Sequence, residues 1–188
     1  ISGNLSMTTM DNPADIIATL KDIERRSQQR MAGLSQQDNM EGAWTAIGFR
    51  LENLHLLIPL SQSREVFPLP LQITPVPKSQ PWVVGITSLR GDLLPLIDLN
   101  LFLHGSSSPP DKRKRVIVLN HPEFFTGLIV DEVFGLKHFQ RQPEPADARQ
   151  HLHLKPYLQG RLYQQETYWH VFSLLKLAED PKFLNAAA

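Results

Sequence analysis

Cysteine is absent from the 188 residues. Without a thiol there are no disulfide frameworks, cysteine-ligated zinc sites, iron–sulfur clusters or cysteine nucleophiles, and nothing points to an oxidising compartment. A cytoplasmic chain is expected. A surplus of charge is missing too: 19 Lys and Arg stand against 19 Asp and Glu. A neutral chain has no long-range field to draw in a phosphate backbone or an anionic bilayer, so nucleic acid is not expected as a partner. Glycine is sparse, with 10 residues scattered along the chain. Neither Gly-x-Gly-x-x-Gly nor a Gly-Lys-Ser/Thr ending occurs, which removes the common phosphate-cradling loops. Long apolar runs are lacking as well. Pro68, Pro70, Pro75 and Pro77 break the longest uncharged stretch, short of the roughly 20 residues that cross a bilayer. A soluble protein with no direct membrane insertion is expected.

A chain of this size buries roughly 70% of the surface its unfolded form exposes, so one or two small domains need no metal or cross-link. Ile1 to Ser6, with Ser2-Gly3, precede Met7 and read as an appended remnant without the basic start of a signal peptide. The long helical pattern spans residues 13–33. Asn12 caps it, Pro13 takes its first position, and Asp15 sits in its electropositive first turn. Ile16, Leu20, Ile23, Met31 and Leu34 fall near one stripe, which has either the domain or a partner as its mate. The opposite face, with Lys21, Asp22, Glu24, Arg25, Arg26 and Arg30, reads as solvated. Gly33 stops the helix, and Ser35 to Gly42 is a polar linker. Residues 1–42 are thus an extension, 43–180 the main domain and 181–188 a tail.

From Trp44 the period changes to two. Ala46 to Glu52 and Leu54 to Pro59 read as strands about a turn at Asn53, and Arg64 to Phe67 as a short third strand. Trp82 to Leu89 and Leu93 to Ile97 form a hairpin across Arg90-Gly91-Asp92, with Gly91 supplying the positive φ. Asp98 caps a short helix from Leu99 to Leu103. After a loop at Gly105 to Pro110 come strands at Val116 to Leu119 and Phe124 to Val133, a break at Phe134-Gly135, and a strand at Leu136 to Phe139. A last hairpin, Leu158 to Tyr163 and Thr167 to Phe172, turns at Gln164-Gln165-Glu166, and Ser173 caps a closing helix from Leu174 to Ala178. About nine short strands at this turn spacing predict a mainly β barrel or sandwich. The 15 prolines agree, because proline gathers at strand ends and edges.

Catalytic patterns do not emerge. His151 and His153 would share a face in a strand, but no HExxH helix or carboxylate at ligand spacing accompanies them, and loop histidines are the simpler reading. Ser88 lies on a strand outside any Gly-x-Ser-x-Gly elbow. Asp131 and Glu132 are adjacent in a strand-like run and so point to opposite faces, which prevents their acting as a paired acid and base. Lys112 to Arg115, beside Asp111, reads as a solvated strand entrance. No enzyme, metal or cofactor is expected, which leaves a binding module as the default.

The run Trp82 to Leu99 carries Gly85-Ile86, Ser88-Leu89-Arg90-Gly91, the proline-centred Leu94-Pro95-Leu96 and Asp98-Leu99. It resembles the signature of CheW-like chemosensory adaptors. Arg64-Glu65-Val66 upstream, and Arg115 to Val118 and Gly127 to Gly135 downstream, resemble the family's other strands, so the likeness runs from Ile47 to Leu177. Val130 to Phe139 and Ile47 to Arg50 are most similar to the branch that serves type IV pili. Two positions depart from the pattern: Ser88 replaces the usual Asn, and Ser173 the usual Asp before the last helix.

The resemblance implies two small, intertwined, five-stranded SH3-like β-barrels with a shared core, between the N-terminal helix and a short C-terminal one. It implies a non-catalytic adaptor that couples the cytoplasmic tip of a methyl-accepting chemoreceptor to the regulatory domain of a CheA-type histidine kinase, in the cytoplasm at membrane-associated arrays. The pilus branch implies control of twitching motility; a flagellar chemotaxis array is the alternative. The expected contact residues are Arg90 at the hairpin tip, Glu65 on the edge strand, and the aliphatics Val66, Val84, Ile86 and Leu93. Two rivals stand beside this reading: a small β-barrel enzyme with an unrecognised site, and a scaffold whose N-terminal helix is the working part.

Overall fold

The protein was analysed as a computed structural model that describes residues 42–147, 149 and 151–187. The helix expected over 13–33 lies outside the described residues. Ten strands follow: β1 (Trp44–Leu51), β2 (Leu54–Pro59), β3 (Ser63–Pro68), β4 (Val83–Leu89), β5 (Asp92–Asp98), β6 (Arg115–Leu119), β7 (Gly127–Val130), β8 (Glu132–Phe139), β9 (Leu158–Gln164) and β10 (Thr167–Phe172). Three short helices join them, α1 (Leu99–His104), α2 (Leu174–Glu179) and α3 (Pro181–Ala187).

The strands form two five-stranded sheets, ordered β8-β1-β2-β10-β9 and β3-β6-β7-β5-β4. The chain lays down two strands of the first sheet, builds the whole second sheet, and returns. Each sheet repeats one pattern. Two antiparallel pairings lead to a parallel one, β2 with β10 or β7 with β5, and a terminal hairpin completes the row. Local chemistry sets the matching corners. Arg90 and Gly91 both take positive φ, 50° and 86°, the conformation that matches a two-residue turn to the twist of its strands. Asp98 Oδ1 accepts from the Leu101 N–H at 3.0 Å and Ser173 Oγ from the Lys176 N–H at 3.2 Å, so Ser173 caps as the usual Asp would.

Closed barrels were expected, whereas the backbone ladders leave both sheets open, with β8 and β9 at the edges of one and β3 and β4 at the edges of the other. Proline supplies the reason at one seam: Pro68 ends β3, and Pro70, Pro75 and Pro77 cannot donate to a ladder with β4. A single-residue bridge covers one edge of each sheet instead, β4 and β9. Thr74 exchanges backbone hydrogen bonds with Ile86 at 2.9 and 2.8 Å, and Glu144 does the same with Arg161 at 2.9 and 2.8 Å. Such cover protects edge strands from pairing with another chain.

Gly85 makes the first bridge feasible. A Cβ there would collide with the Thr74 carbonyl and lie 2.8 Å from Ile73 Cγ2, at a φ of +153°. Gly85→Ala is therefore expected to cost about 2 kcal/mol or more, read as a drop in Tm.

Three apolar clusters hold the fold. Ala46, Leu57, Phe139, Leu162, Trp169 and Val171 fill the concave side of the first sheet, and Leu94, Leu96, Val116, Val118 and Ile129 that of the second. The largest cluster draws on both sheets and the helices, including Phe49, Leu56, Ile97, Phe102, Ile117, Leu128, Phe172 and Phe183. This is the shared core that the family resemblance implied.

Two boundaries differ from expectation. The break placed at Phe134-Gly135 falls at Asp131, where the chain leaves β7 and passes to the other sheet. Gly135, at φ 91°, sits inside β8 where the register with β1 shifts beside Gly48 and Phe49, so it marks a bulge within the strand. Residues 181–187, read as a tail, form α3. Phe183 is fully buried there and meets Phe102 edge to face at 5.7 Å, a tertiary contact that local sequence does not announce.

Candidate partner-binding surface

Glu65 and Val66 are neighbours on β3 and face opposite ways. Val66 stands opposite Ile117 and packs on the shared core, while Glu65 stands opposite Val118 on the concave side of its own sheet. The curl of that sheet carries the β4–β5 tip back to β3. Arg90 Nη1 donates to Glu65 Oε2 at 2.8 Å, so an ion pair spans the seam that no ladder closes. The Arg90 side chain is 78% exposed and that of Glu65 22%. In that setting the pair adds at most about 1 kcal/mol to stability. Most of the guanidinium remains available to an outside acceptor.

Ile86, Ser88 and Leu93 bound a groove of about 530 Å³ whose other wall is Pro70, Gln72 and Thr74. Leu93 is 69% exposed and also borders a hollow of about 710 Å³ with Arg64, His121, Phe124 and Phe125. Arg64 lies over the Phe125 ring at 5.8 Å. Val84, where the β4–β5 register shifts, is 36% exposed. Arg90, Leu93, Ile86 and Val84 thus lie on one hairpin, which Glu65 meets at its tip through Arg90, while Val66 packs on the shared core. An apolar strip with a charged corner has the anatomy of a protein contact, where aliphatics give affinity and a rim charge gives register.

The profile of the CheW-like domain matches residues 45–182. The chain belongs to the CheW-like family. Protein PilI of Pseudomonas aeruginosa is 38% identical over 173 residues, covering 89% of this chain and 94% of the relative. Chemotaxis protein CheW of Helicobacter pylori is 31% identical over 129 residues, 67% of this chain and 77% of the relative. The crystal structure of scaffolding protein TtCheW from Thermoanaerobacter tengcongensis superposes with a TM-score of 0.62 at 21% identity, over 74% of this chain and 94% of that one, and so shares the fold. This CheW-like domain contains no helix among the described residues that is long and apolar enough to cross a membrane.

Sequence reasoning missed a polar junction between the sheets. Asp131, nearly fully buried, accepts from the Glu52 N–H at 2.6 Å, from Asn100 Nδ2 at 3.0 Å and from the Ser108 hydroxyl. Burial pushes its carboxyl up, but those hydrogen bonds and nearby Lys114 outweigh the push and hold it below the ordinary carboxylate range. Glu132 faces Arg50 at 3.2 Å and Arg113 at 3.5 Å, and Arg113 also holds Asp111 at 2.7 Å. Both adjacent carboxylates are thus engaged, Asp131 at the bend between strands. The basic run is not uniformly solvated as expected: Lys114 is buried, with Nζ donating to the Ser108 carbonyl at 3.0 Å. Folding the 105–110 loop back over the strand entrance supplies that acceptor, which no local pattern reveals.

His151 and His153 lie on a loop and go to different mates, His170 at 5.5 Å and His104 at 4.4 Å between ring centroids. Burial, then the neighbouring imidazole, lowers the pKa of both His153 and His170. Among the described residues no group of three or more His, Asp or Glu is placed to hold a metal ion.

Proposed function

We propose that this chain is a chemosensory adaptor that couples the cytoplasmic tip of a methyl-accepting chemoreceptor to the regulatory domain of a CheA-type histidine kinase, in a pathway controlling type IV pili. Near full-length similarity to Protein PilI carries the reading, since it spans 94% of that relative against 77% of the Helicobacter pylori chemotaxis protein. The role is one of binding, performed in the cytoplasm at receptor arrays. Glu65, Arg90, Val84, Ile86 and Leu93 form the contact, and Val66 supports it from beneath. Control of the kinase is then a population shift, with the adaptor passing on whichever arrangement its bound receptor favours.

Calorimetry against the regulatory domain of a pilus-linked kinase, with a flagellar kinase domain in parallel, tests this. Micromolar or tighter binding is expected, about tenfold tighter for the pilus-linked domain, with Arg90→Ala and Glu65→Ala each weakening it by roughly tenfold. No heat with either domain would remove the adaptor reading. A preference for the flagellar domain would move it to the other pathway.

A further inference from the structure

Two histidines of one short segment each pack against a histidine of another element. The His153 ring meets His104, the last residue of α1, with centroids 4.4 Å apart at 65°, and the His151 ring meets His170 of β10 at 5.5 Å and 77°. The two pairs fasten residues 151–153 to a helix on one side and to the first sheet on the other. From there the chain runs straight into the shared core, where Leu154, Tyr157 and Leu158 are buried. The first backbone bonds of this stretch are local, Leu154 N–H to the His151 carbonyl and Tyr157 N–H to the Leu154 carbonyl, both at 2.9 Å, before the Ser173 N–H reaches the Tyr157 carbonyl.

Each pair hides a ring nitrogen without an acceptor. His104 Nε2 and His170 Nδ1 are buried and have no hydrogen-bond partner among the described residues. A neutral imidazole tolerates this by placing its unprotonated nitrogen there, whereas an imidazolium carries a proton on both nitrogens and would bury an unpaired charged donor. Two charged rings in contact also repel. The charged groups around the pairs do not reverse this balance. Glu52 on the β1–β2 turn favours a proton on His153, and Asp147 favours one on His170 against Arg161, its neighbour in the β9–β10 ladder; burial comes first in both cases, and both pKa values end lowered. Around His104 the six-residue α1 offers only a weak helix-end field, and Lys182 brings positive charge to the Phe102 carbonyl of the same helix.

We infer that the two histidine pairs are an acid-sensitive clasp: near pH 7 and above they pin residues 151–153, and as the pH falls below about 6 the pairs gain charge and release the segment that carries Leu154 and Tyr157 into the core. The clasp belongs to the fold and operates whatever the chain binds. Its sign is fixed by linkage. A histidine with lower proton affinity in the folded state than in the unfolded chain contributes its full stability above the unfolded value of about 6.5, and loses it as the pH falls from there toward the folded value. The loss therefore lies between about pH 7 and 5, above the range in which Asp131 loses its contribution.

The test uses the full chain at pH 7.5 and 5.5, with urea unfolding and amide hydrogen exchange corrected for the intrinsic rate at each pH. On acidification the urea midpoint of the parent is expected to fall by about 0.5 M or more, and the protection of the Leu154, Tyr157 and Leu158 amides by roughly fivefold. His153→Gln/His170→Gln should reduce both changes to less than half, because glutamine is polar and does not titrate. His121→Gln, outside the pairs and packed on Phe124, should leave them as in the parent. His55, whose pKa burial also lowers, packs on Phe134 and Trp169 and is the rival source of such a loss. If the double variant is already loosened at pH 7.5, His153→Gln alone carries the test, because that side chain is exposed, and it should still diminish the loss. An undiminished loss in these variants, a loss abolished by His55→Gln, or unchanged protection of the three amides would overturn the inference.

Discussion

Asp131→Ala is expected to lower the free energy of unfolding by roughly 3 kcal/mol, because it removes the acceptor of three donors at once, that of Asn100 buried and those of Glu52 and Ser108 part-buried. The Glu52 N–H, Asn100 Nδ2 and the Ser108 hydroxyl belong to the β1–β2 turn, α1 and the 105–110 loop, so one carboxylate ties the two sheets together where the chain crosses between them. Asp131→Asn keeps the shape but turns an amide N–H₂ toward those donors, and it should recover only part of the loss. Urea unfolding at neutral pH measures both. The pH dependence has a definite sign. A carboxyl whose pKa is depressed on folding contributes its full stability above the unfolded value of about 3.9, and loses it as pH falls through the lower folded value. The gap between the parent and Asp131→Ala should therefore be widest from about pH 5 to 7 and narrow below about pH 4. Equal stability of the two proteins at pH 7 would show that the junction is rebuilt without the carboxylate.

Phe172→Ala is expected to be comparably severe, about 3–5 kcal/mol. The ring is fully buried, meets Phe49 edge to face at 6.4 Å and Tyr157 at 5.6 Å, and lies in the cluster that joins both sheets. In a unit of this size the loss corresponds to a Tm lower by roughly 10 °C. The distribution of the damage is the informative part. Because the cluster is shared, amide exchange should quicken in β6 and β7 as well as in β9 and β10. Faster exchange confined to β9 and β10 would mean that the sheets are stabilised separately.

The same two positions show how unevenly the fold can be read from the chain. Phe172 lies in an alternating run bounded by turn residues, and its strand, its hairpin and the Ser173 cap follow from local propensity. Asp131 sits in an unbroken strand-like run from Gly127 to Phe139, where period and composition put the break at Gly135. The real break is at the carboxylate, because its three donors come from segments 23 to 79 residues away and no window on the sequence contains them. Gly135 serves a bulge, which needs the same positive φ as a turn and so gives the same local signal.

The contact surface divides in the same way. Its hairpin, with Arg90 at the tip and Leu93 exposed, is written in the Arg90-Gly91 turn and in the alternation of β5. That Arg90 reaches Glu65 across 25 residues follows only from the curl of the sheet. Glu65 and Val66 are adjacent, so strand alternation sends the two side chains to opposite faces, and only the pairing with β6 shows that Val66 is the one on the core shared by the two sheets.

By itself the sequence determined the mainly β class, nearly every strand and cap, the family and the absence of thiol and nucleotide-loop chemistry, since each depends on residues close together in the chain or on composition. Tertiary structure alone decided that the ladders stay open, that Asp131 joins the sheets, that Phe183 completes the core, and that Ile86 and Arg161 make the bridges that cover β4 and β9. Those outcomes depend on which distant segments meet, and on the curl and pairing of sheets that bring together side chains with no local signature of their encounter.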